Sequence, residues 1–146
     1  MTCVSLAFYK GTDEWLDRLT QWWTRSAYSH CELVIDGLAY SSSPRDGGVR
    51  VKAGIDFTSA HWDVIHVRAH APSVCAWFEQ HARQRYDYVG LLGFVLPWHL
   101  GSRRAWFCSE ACAAALGLRE PETFDPGRLA NYAKVCLQAP DLLTPI

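Results

Sequence analysis

"SHCELVIDGLAYSSSPRDGGVR", residues 29–50, is the stretch whose reading decides the fold. Residues 30–35 read as a strand, Asp36-Gly37 as a two-residue hairpin turn, and a second strand starts at Leu38. Beyond it the chain turns small, polar and rich in glycine. Arg45, Asp46, Gly47 and Gly48 read first as a turn and second as a lip for a ligand. The hairpin therefore opens on His30. A histidine at a strand start is ordinarily a solvated or hydrogen-bonded edge residue, and it becomes chemistry only if the chain supplies a partner.

Working outward, "CVSLAFYKG" (3–11) alternates apolar and small residues and ends on glycine, a strand followed by a turn. A helix starts at Thr12, with Thr12 or Asp13 as its cap. In it Trp15, Leu16, Leu19, Trp22 and Trp23 recur at helical spacing as one apolar face, which reads as core packing. "GGVRVKAGIDF" (47–57) and "WDVIHVRA" (62–69) bring the expected strands to five. Pro72 opens a helix with Val74, Trp77, Phe78 and His81 on one face. "YDYVGLLGFVL" (86–96) reads as a buried helix, and "CSEACAAALGL" (108–118) as an alanine-rich helix stopped by Gly117. "DPGRLANYAK" has an Asp cap and proline at the first helical position, and the tail "APDLLTPI" is irregular. With no repeat, low-complexity tract or linker, the expectation is one α+β domain over residues 1–146.

At 146 residues the chain can bury about two-thirds of its unfolded surface. A formal charge of −1 and a single adjacent basic pair, Arg103-Arg104, leave no footprint for nucleic acid. No apolar run approaches the ~18 residues of a membrane span. "VGLLGFVLPWHL" is interrupted by Gly93 and Pro97, so it could touch a membrane but not cross one. The start "MTCVSLAFYKG" has neither the basic segment nor the apolar core of a signal peptide, which predicts cytoplasmic synthesis. Cysteines 3, 31, 75, 108, 112 and 136 are accordingly expected to be reduced, most of them as small buried hydrophobes.

The best partner for His30 is Cys108. In "RRAWFCSEACAAALGL" (103–118) it sits where a helix begins, and there unpaired N–H groups and the positive dipole end favour a thiolate. A nearby imidazolium would favour it further. The same N–H groups could hold the oxyanion of a tetrahedral intermediate. Cys112, one turn deeper, reads as structural. With six cysteines and six histidines some such pair is inevitable, so spacing alone carries little. Glu110 in the first turn is accounted for by the dipole. Tyr86 and Asp87 read either as a helix start or as a cleft wall near the nucleophile. Zinc is not expected, because neither Cys108-x3-Cys112 nor His30-Cys31 is a metal spacing, and His61, His66 and His70 do not form an HExxH motif. No glycine-rich phosphate loop occurs, so no cofactor is expected.

Residues 29–51, "SHCELVIDGLAYSSSPRDGGVRV", resemble the His-bearing hairpin of the NlpC/P60 papain-like superfamily, and "WFCSEACAAALGL" resembles its nucleophile helix. Ordinary members place the Cys helix first, whereas here His30 precedes Cys108 by 78 residues. That order resembles the circularly permuted branch, the YaeF/YiiX-like amidases, whose "YD" and "CSE" elements are similar to Tyr86-Asp87 and Cys108-Ser109-Glu110. The likeness covers residues 1–132 and implies a permuted papain-like fold. It also implies a cysteine hydrolase in which Cys108 attacks a carbonyl and His30 shuttles the proton, with Tyr86, Asp87 and Ser41 at the substrate. The family's third residue lies on the strand after His30. A two-residue turn at Asp36-Gly37 would put Ser41 and Ser43 on the face of His30, and a three-residue turn with a bulge Tyr40 and Ser42. Alignment of "LAYSS" with the family's strand favours Tyr40. A dyad helped by a hydroxyl or a backbone carbonyl is the alternative.

The substrate implied is an amide or peptide bond in bacterial cell-wall peptide, cut by a monomer. Such an enzyme suits a phage lysin, a tail-associated protein or an effector exported by a non-Sec route. A second expectation is an acyltransferase or thioesterase acting on lipid. LRAT-like proteins share the His-before-Cys order, although their "NCEHF" context is missing here. The third is a non-catalytic binding module with the same fold and a degraded site.

Overall fold

In a computed structural model, which describes residues 3–86 and 105–139, the chain forms an α+β fold around one sheet. Five long strands are present: β1 (Val4–Tyr9), β2 (His30–Ile35), β3 (Leu38–Ser43), β4 (Gly48–Lys52) and β5 (Trp62–Val67). Two-residue strands β6 (Arg85–Tyr86) and β7 (Ala105–Trp106) extend the sheet beyond the five expected. The order in space is β5-β1-β2-β3-β4-β6-β7, antiparallel throughout except for the β6–β7 pair. Four helices accompany it: α1 (Trp15–Thr24), α2 (Ala71–Gln80), α3 (Cys108–Ala115) and α4 (Pro126–Tyr132). Tyr86 therefore belongs to a short strand rather than to a helix start. Asp87, the helix expected through residue 96 and residues 140–146 of the tail lie outside the described residues.

The β2–β3 turn has the two-residue form: Ile35 pairs with Leu38, and both Asp36 (φ 50°) and Gly37 (φ 78°) are left-handed. This is the backbone that the Asp-Gly pair favours. Strand alternation then divides the sheet into two unlike faces. Val4, Leu6, Phe8, Cys31, Leu33, Tyr40 and Val49 are buried on the first, where α2 and α3 pack through Val74, Phe78, Ala111 and Cys112. The second face carries Ser5, Tyr9, His30, Glu32, Ser41, Arg50 and Lys52. It is polar, and that decides how α1 sits.

Helix α1 reverses the expectation that its tryptophan stripe is core. Trp15 and Trp22 are each 72% exposed and Leu19 is 43% exposed, whereas Asp17 and Thr20 are buried. Trp15, Leu19 and Trp22 do share a face, but it turns outward, and Leu16 stands on the other side at a cleft. The helix lies by the polar face of the sheet, so its polar side turns in. Nor is the cap Thr12 or Asp13. It is Glu14, whose N–H donates to Asp17 Oδ2 at 3.2 Å, while Asp13 accepts the Tyr9 hydroxyl at 2.7 Å.

Candidate active site

Two serines set the start of α3. Ser42 Oγ donates to the Trp106 carbonyl at 2.6 Å, and Ser109 Oγ donates to the Phe124 carbonyl at 2.6 Å. Between these anchors Cys108 occupies the first position of the helix, 1% exposed. The Phe107 N–H donates to Glu110 Oε2 at 3.3 Å, which gives Glu110 a capping role. The N–H groups of Cys108 and Ser109 have no acceptor within the helix, by its geometry.

The fold brings His30 and Cys108 together across those 78 residues, close enough for the imidazole and the thiol to shift each other's proton affinity. The other side of the ring is held too. His30 Nε2 lies 2.8 Å from Glu32 Oε1, which leaves Nδ1 as the nitrogen available to the thiol. Glu32 is 1% exposed and is gripped from β4: Arg50 donates from both terminal nitrogens to its two oxygens at 2.6 Å each. Arg50 Nε donates in turn to Asp46 Oδ2 at 2.9 Å. A bidentate guanidinium–carboxylate pair of this kind fixes the carboxylate's plane as well as its charge.

Glu32 is the residue that sequence reasoning missed. The family's pattern points across the hairpin to β3, whereas the carboxylate that holds His30 stands two residues along β2 itself. Period-two alternation puts His30 and Glu32 on one face. A lone acid in "HCELVI", with one arginine in "GGVRV" opposite, was the available signal.

Tyr40 does not take that place. With a two-residue turn it pairs with Leu33 and faces the helices, its ring 5.4 Å from Phe78 and its hydroxyl accepting from Cys75 Sγ at 3.6 Å. Burial, together with Cys75, pushes its phenol up to about 12. Ser41 is on the correct face but is not a substrate contact. It is fully buried, and its hydroxyl donates to the Cys31 carbonyl at 2.7 Å. Its pairing partner on β4 is Arg50, and Leu33–Tyr40 pairing puts it one step from Glu32. A small side chain there lets Arg50 reach over β3 to Glu32, so Ser41 acts as a spacer. Ser42 points to Trp106, and Ser43 lines the cleft.

The electrostatics follow from these contacts. Burial alone would push the Cys108 thiol up, but hydrogen bonding with Cys31 and the charge of His30 bring it well below the usual cysteine range. Burial would likewise strip His30 of its proton, yet Cys108 and Glu32 raise it well above the usual histidine range. Glu32, opposed by burial, is held below the carboxylate range by His30 and Arg50. Both shifts favour the thiolate–imidazolium form of the pair. All six cysteines are unpaired, and Cys112 packs as a structural thiol, its Sγ 3.9 Å from the Cys31 and Tyr40 carbonyls. An ordinary thiol is under about 1% ionised at pH 6. Iodoacetamide at that pH is therefore expected to modify Cys108 before the exposed Cys3 and Cys136, as mapped by mass spectrometry. Preferential labelling of Cys75 or Cys136 would contradict the assignment.

A cleft of about 250 Å³ opens beside the pair. His30, Glu32 and Tyr86 line it together with the apolar side chains of Tyr9, Trp62 and Leu16. Tyr86 stacks near Phe107, the residue before the nucleophile, with ring centroids 5.8 Å apart. Arg45 spans the rim from the β3–β4 turn to α1, bonding Glu14 at 2.9 Å and approaching Asp17 at 3.8 Å. The expected lip is thus a wall tied to α1. Among the described residues no helix is long and apolar enough to cross a membrane. Comparison of the chain with protein-family models, with curated proteins and with solved structures found no match.

Proposed function

We propose that the chain is a thiol hydrolase of circularly permuted papain-like fold that cuts amide or peptide bonds in bacterial cell-wall peptide. The observation that carries this reading is the row Cys108–His30–Glu32–Arg50, in which each group holds the next in the charge state nucleophilic catalysis needs. The bond class rests on the resemblance to the permuted NlpC/P60 amidases, and the order of His30 before Cys108 supports the permutation.

In this reading the Cys108 thiolate attacks the carbonyl carbon. The carbonyl oxygen gains the charge and meets the N–H groups at the start of α3. His30 gives its proton to the leaving nitrogen, the C–N bond breaks, and an acyl thioester remains on Cys108. Neutral His30 then takes a proton from water, whose oxygen attacks the thioester and restores thiolate and imidazolium. Glu32 keeps the ring turned toward sulfur throughout. The cleft is lined by His30 and not by Cys108, whose side chain is buried, so His30 is the member of the pair that a ligand there meets.

Incubation with purified peptidoglycan tests the proposal. New free amino groups and shortened stem peptides are expected. Intact peptidoglycan with cleavage of acyl esters or thioesters would replace it with the lipid-directed reading. Turnover of neither substrate would leave the binding module.

A further inference from the structure

The outer face of α1 has no part in the chemistry above, and among the described residues it gathers three exposed large apolar side chains. Trp15, Leu19 and Trp22 follow one another at i, i+4 and i+7, exposed by 72%, 43% and 72%. The charges around this face are sorted. Every acid of the segment is drawn inward or sideways: Asp13 to Tyr9, Glu14 to Arg45, and Asp17 to the Glu14 N–H. Exposed Arg18 stands four residues before Trp22 on the helix, and exposed Arg25 caps the C-terminus of α1 just beyond the strip.

We propose that this face is a docking surface for an anionic lipid bilayer, into whose headgroup region α1 seats its indoles. Size argues against a second copy of the chain. At those exposures Trp15, Leu19 and Trp22 together offer on the order of 400 Å², whereas a stable dimer needs about 800 Å² per partner. An interfacial helix needs only its own apolar face, and tryptophan, apolar with one polar N–H, suits the boundary. The bordering arginines select acidic headgroups over neutral ones. The opposite side of α1, Leu16, Asp17 and Thr20, lines the cleft. Seating the outer face therefore holds the cleft about one helix diameter, ~10 Å, from the lipid.

Sedimentation of the purified full chain with vesicles tests this, comparing phosphatidylcholine alone with phosphatidylcholine containing phosphatidylglycerol. Binding to the acidic vesicles is expected, weakening as salt rises. Trp15→Ser with Trp22→Ser should lower the bound-to-free ratio at least tenfold, and Arg18→Gln with Arg25→Gln should erase the preference for acidic lipid. Brominated lipid should also quench tryptophan emission of the unaltered chain, which checks the contact without any substitution. Cys108→Ala should bind as the original does, so docking and hydrolysis fail or succeed separately. Absence of binding, or binding indifferent to the tryptophan pair, would overturn the proposal. So would a dimer in sedimentation velocity that the same pair abolishes.

Discussion

On the proposed function, Cys108→Ala is expected to remove amino-group release from peptidoglycan, with a fall of at least ~10⁴-fold, because no other group in the row can form the covalent acyl intermediate. The fold should survive. Loss of one buried sulfur atom costs on the order of 1 kcal/mol, and Ser42, Ser109 and the α3 backbone keep their own contacts. His30→Ala should fall by a similar factor, since the thiolate loses its counter-charge and the leaving nitrogen its proton donor. The two substitutions should not add. Groups that act as a unit lose almost everything with the first removal, so the double variant is expected within a few-fold of either single one. Release of amino groups that persists in Cys108→Ala, with melting temperature unchanged, would end the thiol mechanism. Additive losses would show that the pair does not act as one.

Much of this site was legible in residue order, and what escaped has physical causes. Cys108 at a helix start and His30 at a strand start carry local marks, but among six cysteines and six histidines only the family resemblance singles them out as a pair. The Asp36-Gly37 turn was equally plain, and its two-residue form removes Tyr40 from the site by placing it opposite Leu33. Glu32 escaped because its significance is not local. A carboxylate in an apolar strand is intelligible only once Arg50 is known to arrive from two strands away, over Ser41. Helix α1 shows a different limit. Spacing told that Trp15, Leu19 and Trp22 share a face, but which way it turns depends on the polarity of the sheet beside it. Strands β6 and β7 are too short for any pattern. A close approach places β6, since the Val49 N–H donates to the Gln84 carbonyl at 2.9 Å. Gly48, at φ 142°, allows this because a Cβ there would overlap that carbonyl oxygen.

Glu32→Gln is expected to lower kcat by ~10²–10⁴-fold with KM little changed, because an amide of the same shape cannot stabilise an imidazolium or fix its orientation. The pH dependence should distinguish this from simple structural damage. Glu32 and Cys108 together raise the proton affinity of His30 against the cost of burial. Without the carboxylate that affinity falls, so the thiolate–imidazolium pair should give way at lower pH on the alkaline side. The alkaline limb of kcat/KM then moves down in pH. Stability supplies a second readout. Breaking a buried ion pair from one side typically costs about 3–5 kcal/mol, here by leaving Arg50 with Asp46 alone. Glu32→Gln combined with Arg50→Met removes the orphaned charge, so the double variant should regain most of that stability while activity stays low. Full activity in the double variant would mean that Glu32 serves only to accommodate Arg50. Activity of Glu32→Gln within about threefold of the original, with an unmoved alkaline limb, would reduce the site to a Cys108–His30 dyad.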